Sequence, residues 1–158
     1  MKLYLVRHGE AVSRNVHPER PLSERGRAEV RSVAARFAQG GVAASVLLHS
    51  GKKRAQETAE LLGAAIALRS PMQRVAGIDP SDATEAFARE VEQWTEDAVV
   101  VGHLPFMSRL VSRLLARDEG ASPVHFHTGT AVCLEREGSG SWKLAWVIHP
   151  SSPTPERG

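Results

Sequence analysis

A chain of 158 residues with 42% hydrophobic content has material for one core of ordinary domain size and little for a second. Its 20 basic and 18 acidic side chains leave a formal net charge of +2, a near balance that argues against a nucleic-acid surface, where Lys and Arg cluster in excess. No run approaches the roughly 20 apolar residues of a membrane helix, and the first residues enter a strand pattern without the regions of a signal peptide, so a cytoplasmic location is expected.

Lys2-Leu3-Tyr4-Leu5-Val6 is a short apolar-rich run stopped by Arg7 and His8, the pattern of a strand ending in a functional loop. From there to Pro21 the chain is polar and carries two prolines, as a long loop does. Ser23 stands at an N-cap position before Val30, Val33, Ala34 and Phe37, whose spacing makes one apolar helix face, and Gly40-Gly41 ends that helix. A second strand, Ser45–His49, leads to a second helix from Lys52 to Ala65, with Ala55, Ala59 and Leu62 on one side. A short strand at Met72–Val75 and a helix opening at Asp82, with Ala83, Phe87, Val91 and Trp94 in a stripe, come next.

Ala98-Val99-Val100-Val101 is nearly all apolar and β-branched, the composition of a central strand covered on both faces. Pro105 opens the following helix, which buries Met107, Leu110, Val111 and Leu114. Gly129–Glu137 and Ser141–His149 flank the glycine-bearing turn at 138–140 and read as an antiparallel hairpin at the sheet edge. Cys133, the single cysteine, lies in the apolar run 131–134 and reads as a buried inert thiol.

This order predicts a three-layer α/β/α sandwich with a mostly parallel mixed sheet and an antiparallel C-terminal hairpin. Residues 1–149 form one domain in this reading, and 150–158, with three prolines and no apolar periodicity, form a flexible tail. Ligands in such folds collect beyond the carboxyl ends of the strands, and that rule selects His8, Ser50 and His103.

Arg7-His8-Gly9-Glu10 after the first strand resembles the signature of the histidine phosphatase superfamily, which also holds the cofactor-dependent phosphoglycerate mutases. Three further pieces match in order: Leu22-Ser23-Glu24-Arg25-Gly26, then Ser50 with Arg54-Ala55-Gln56-Glu57-Thr58-Ala59, then Val101-Gly102-His103. A lone Arg-His-Gly is weak, whereas four motifs in order, each at the end of an element, are specific. The resemblance implies that His8 attacks phosphorus through a ring nitrogen and becomes a transient phosphohistidine. It implies that Arg7 and Arg54 offer charged forks to the phosphoryl oxygens and that His103 is a fourth phosphate ligand. Arg20 is implied as an accessory phosphate ligand, as is Thr130 in the 128–130 loop, for which a plain turn is the competing reading. Lys52 and Lys53 have no role in the family and read as rim charges.

No cofactor or metal is implied. His125-x-His127 is the best rival metal pattern, but alternate residues of a strand share one face without any ligand, and the remaining histidines lack acidic or cysteine partners at ligand spacing. Larger members of the family carry a glutamate as general acid after the third short strand. Here the segment 75–80 has none, and only Asp79 or Asp82 could replace it. The chain also lacks a long insertion to cover the site.

Both absences match the small bacterial phosphohistidine phosphatases of the SixA type, which this chain resembles. That resemblance implies a phosphorylated protein partner such as a histidine phosphotransfer domain, because a phosphoramidate needs less acid assistance than a sugar ester. A phosphomonoesterase for a small sugar or nucleotide phosphate, and a non-catalytic module that binds phosphoprotein, are the alternatives. Neither nucleic acid nor membrane is an expected partner.

Overall fold

In the computed structural model, which describes residues 1–116 and 123–151, the first strand is Lys2–Arg7 (β1) and its side chains alternate between two cores. Leu3 and Leu5 enter one hydrophobic cluster, Tyr4 and Val6 the other. That alternation is the period of an extended chain with both faces covered.

The 16-residue helix Glu24–Gln39 (α1) starts where Ser23 accepts the Gly26 N–H, and Gly40 and Gly41 end it. The Gly41 φ of +66° is one that a residue with a side chain adopts rarely. Ala43–Ala44 (β2), Val46–His49 (β3) and the helix Lys53–Gly63 (α2) follow. Next come Ala67–Leu68 (β4), Gln73–Arg74 (β5), the helix Glu85–Glu92 (α3) and Ala98–Gly102 (β6). The helix Phe106–Leu114 (α4) and the strands Ala131–Arg136 (β7) and Trp142–Ile148 (β8) complete the described elements.

The main sheet runs β5-β3-β6-β1-β7-β8, with β5, β3, β6 and β1 parallel and β7 and β8 antiparallel. The expected mixed sheet and C-terminal hairpin are therefore present, and β6 is interior with every residue buried. Helices α1 and α2 pack with Val99, Val101 and Cys133 on one face. On the other, α3 and α4 pack with Ala98, Val100 and Leu134. Cys133 is fully buried, and burial pushes its thiol up to about 12.

Three boundaries differ from expectation. The two-residue strands β2 and β4 pair with each other outside the main sheet and are too short to leave a periodic signal. Helix α3 begins at Glu85, not at Asp82: the Asp82 carboxylate accepts the Asp79 N–H in a preceding turn, and Ala83 is exposed. His125 and His127 precede β7 in irregular structure, so a shared strand face does not explain their proximity. Of the expected tail, residues 152–158 lie outside the described residues. Among the described residues no helix is long and apolar enough to cross a membrane.

Candidate active site

Parallel strands deliver the polar residues that follow them to one edge of the sheet. β1 and β6 are in register from Leu3–Ala98 to Arg7–Gly102, so His8 and His103 leave adjacent strands side by side. The His8 N–H donates to the Gly102 carbonyl at 2.9 Å, and the two imidazole centroids lie 5.0 Å apart. β3 is in register with β6 on its other side, which brings Ser50 to the same edge.

The tautomer of His8 follows from its partner. Its Nδ1 lies 2.7 Å from the Gly9 carbonyl oxygen, which can only accept, so Nδ1 carries the proton and Nε2 keeps a free lone pair. Burial pushes the imidazole pKa down to about 4, the hydrogen bond to the Gly9 carbonyl opposes this, and Arg54, Arg7 and Arg20 depress it further. A neutral ring with an unprotonated Nε2 is what nucleophilic attack requires.

His103 is 1% exposed. Its Nε2 is 2.6 Å from the Ser50 hydroxyl, which also accepts the Lys52 N–H at 3.3 Å. The fewest groups stay unpaired if Ser50 donates to Nε2 and Nδ1 carries the ring proton, since Nδ1 is buried without a partner. Burial, followed by the fields of His8, Arg54, Lys52 and Arg7, pushes this imidazole down to about 3. It is neutral in the empty site, and a bound dianion would reverse the electrostatic part of that shift.

Arg7 is anchored through Nη1 to the Phe126 carbonyl at 2.9 Å, whereas its buried Nε has no partner. Arg54 lies in the first turn of α2, and burial lowers its pKa, as do the fields of Arg20 and Arg14. An unpaired buried donor beside a second guanidinium and two histidines is suited to a tetrahedral anion with several acceptor oxygens. Among the described residues no group of three or more His, Cys, Asp or Glu is placed to hold a metal ion. The His125–His127 and His127–His149 ring centroids are 5.4 Å and 5.0 Å apart.

The accessory residues separate. Arg20 has a left-handed backbone, φ +51°, and its Nε donates to the Val12 carbonyl at 3.0 Å, with its charge within reach of both His8 and Arg54. Thr130 is different: its fully buried hydroxyl lies 2.9 Å from His149 Nδ1 and accepts the His127 N–H at 3.0 Å. This side chain braces the 126–130 loop, and the Gly129 N–H is likewise taken by the Arg7 and His8 carbonyls. Asp79 is exposed and its field raises Arg54, while Asp82 is committed to the turn before α3.

Sequence reasoning missed the residues that hold the box together. Thr58 accepts the Gly9 N–H and donates to the Arg54 carbonyl. Glu57, buried in α2, accepts the Leu22 N–H at 2.8 Å and pairs with Arg27 at 2.9 Å, fixing the end of the 10–22 loop. Gly26 lets α1 approach the Glu10 backbone, since any Cβ there would collide with it. The signal for Thr58 was its position four residues after Arg54, on the same helix face.

The comparisons with known proteins agree with this geometry. The family model described as "Histidine phosphatase superfamily (branch 1)" matches residues 3–79. An uncharacterized protein of Picosynechococcus sp. is 38% identical over 112 residues, which cover 66% of this chain and 67% of the relative. Phosphohistidine phosphatase SixA of Escherichia coli is 26% identical over 155 residues, 95% of this chain and 94% of that protein. The solved structure of the protein histidine phosphatase SixA complexed with tungstate superposes with a TM-score of 0.81 at 24% identity, covering 95% of this chain and 97% of the other. The motifs, their convergence at one sheet edge and these similarities have one common reading: the chain belongs to the histidine phosphatase superfamily.

Proposed function

We propose that this phosphatase hydrolyses protein phosphohistidine through His8. The observation that carries the reading is the state of His8: a neutral ring, Nδ1–H held by the Gly9 carbonyl and Nε2 free, set among Arg7, Arg54 and His103. In the first step Nε2 attacks phosphorus in line, the new N–P bond forms, and the bond to the substrate imidazole breaks. The substrate ring leaves as neutral imidazole once its second nitrogen has taken a proton from solvent, and so needs little help from a side-chain acid. Arg7 and Arg54 balance the charge on the equatorial oxygens, and His103 donates its ring N–H to one of them. Water then attacks phospho-His8, which releases inorganic phosphate and restores the neutral ring.

The substrate part of the reading rests on the carboxylates. Asp82 is engaged by the Asp79 N–H, which leaves Asp79 as the residue free to protonate a poorer leaving group. Its proximity to Arg54 is what favours the second reading, a small phosphomonoesterase. The test compares kcat/KM on a phosphohistidine peptide, a phosphoserine peptide and a panel of sugar phosphates, repeated with Asp79→Asn and Asp82→Asn. The expected order is phosphohistidine first and phosphoserine last, with both variants near wild type. A preferred sugar phosphate whose turnover collapses in Asp79→Asn would establish the second reading instead.

A further inference from the structure

Beside the phosphate box, between the 13–20 loop and the start of α2, lies a groove of about 540 Å³ lined by Arg14, Arg20, Lys52, Lys53 and Arg54, with Glu19 as its carboxylate. Arg74 adds a further cation, since it packs on Gly51 so closely that a Cβ there would meet its side chain. Asp79 is the acid whose field reaches Arg54 from the opposite element. The described ion pairs are Arg25–Glu29, Arg27–Glu57, Arg69–Glu96 and Arg89–Glu85, so none of the groove cations is neutralised among the described residues.

This accumulation works against the local physics of the fold. A helix N-terminus carries partial positive charge and favours acids in its first turn. Helices α1 and α3 obey, beginning with Glu24 and Glu85, whereas α2 begins with Lys52, Lys53 and Arg54 and has no acid there. The loop opposite is held rather than loose. The Val16 and His17 N–H groups donate to the Ser13 carbonyl, the Arg20 N–H donates to the His17 carbonyl, and Arg20 keeps its left-handed backbone. Repulsion built into ordered elements is released when a complementary surface arrives. The groove extends beyond the box that a single phosphate occupies, and it runs under a loop that exposes Val16 at 73%. A protein surface satisfies both features, and a small phosphate ester satisfies neither.

We propose that this groove together with Arg74 is a docking face for acidic residues flanking the phosphorylated side chain of a partner protein. The proposal rests on the reading that His8 accepts phosphate from a protein. Acidic flanks would pair with Arg14, Lys53 and Arg74 while the phosphoryl group enters the box, so the docking cations act on KM and association more than on the chemical step.

The experiment uses two phosphohistidine peptides of one length, one with Asp and Glu flanks and one with Asn and Gln flanks, together with an aryl phosphate. Wild type should favour the acidic peptide by roughly tenfold in kcat/KM at low ionic strength, and the gap should narrow as salt is added. In R14Q/K53Q/R74Q the preference should vanish while kcat on the aryl phosphate stays within about twofold. The unphosphorylated acidic peptide should competitively inhibit aryl phosphate hydrolysis by wild type and not by the triple variant. Equal kcat/KM for the two phosphopeptides in wild type, or equal inhibition of both proteins, would overturn the docking face. Failure to hydrolyse either phosphopeptide, with selective inhibition intact, would support the docking face and remove the phosphohistidine reading alone.

Discussion

The Gly9 N–H donates to the Thr58 hydroxyl at 3.0 Å, and that hydroxyl donates in turn to the Arg54 carbonyl at 2.8 Å. One fully buried side chain thereby fixes the loop behind His8 to the helical turn that carries Arg54. Thr58→Val keeps the shape and removes the hydroxyl, which leaves the Gly9 N–H buried and unpaired. The expected cost is about 1–3 kcal/mol of stability. Turnover should fall roughly tenfold in kcat with KM little changed, because His8, the proposed nucleophile, loses its alignment with the guanidinium. Thr58→Ser should recover both. Steady-state kinetics and thermal melts of the pair check this, and an unchanged kcat in Thr58→Val would show that the alignment has another source.

His8→Ala should abolish turnover and leave the far-UV circular dichroism unchanged, since the residue follows β1 and adds little to either core. Acid-labile phosphate should be trapped on the wild-type protein alone after a quench with labelled substrate. Arg54→Ala should retain the intermediate but lower kcat/KM by about 10²-fold or more through the loss of a charge-assisted donor. Tungstate should protect wild type against thermal unfolding and protect the Arg54 variant much less.

Stability should depend on pH through the two buried histidines. Each has a folded pKa below the 6.5 of a free imidazole, about 4 for His8 and about 3 for His103. Below 6.5 the unfolded chain takes up protons that the native site refuses, so stability falls as the pH drops from 6.5 and levels off near 3. Above 6.5 both states are neutral at these positions, and they contribute no slope. Urea denaturation between pH 7 and pH 4 should show a steeper loss for wild type than for His8→Ala. Identical slopes would mean that His8 takes up its proton as readily in the native protein as in the unfolded chain.

Prolonged dialysis against EDTA should leave kcat unchanged on an aryl phosphate, because the two guanidiniums and His103 supply the charge on which the proposed chemistry draws. Loss of activity restored by Zn²⁺ would turn attention to the edge-on histidine cluster of His125, His127 and His149.

What the amino-acid order revealed was the part of the molecule governed by local pattern. An apolar run closed by Arg7 and His8, another closed by Ser50 and a third closed by Gly102 and His103 are visible as strand ends, and parallel pairing places strand ends together. The Ser23 cap and the apolar face of α1 are equally local. The start of α3 was misplaced because Asp82 favours a turn as well as a helix cap, and the choice rests with the Asp79 N–H. The Thr130 hydroxyl's partner was hidden for a different reason: His149 comes from beyond the far end of β8, a neighbour that no local spacing announces. Thr58 went unnoticed because the group it serves, the Gly9 N–H, is 49 positions away.

Strand β1 lies between β6 and β7, and its Tyr4 pairs with Val99 on one side and Cys133 on the other. Of the strands in this sheet β1 is synthesised first, and both of its neighbours come later in the chain. Its apolar residues must wait for segments that end at Gly102 and Arg136, and that long-range closure is the kind that slows folding and exposes an unpaired strand to chaperones. Arg7 and His8 ride on the end of that waiting strand. The Phe126 carbonyl that anchors the Arg7 guanidinium and the Thr130 carbonyl that accepts the Arg7 N–H come late in the chain, so the proposed phosphate box gains its Arg7 brace only once those segments are made.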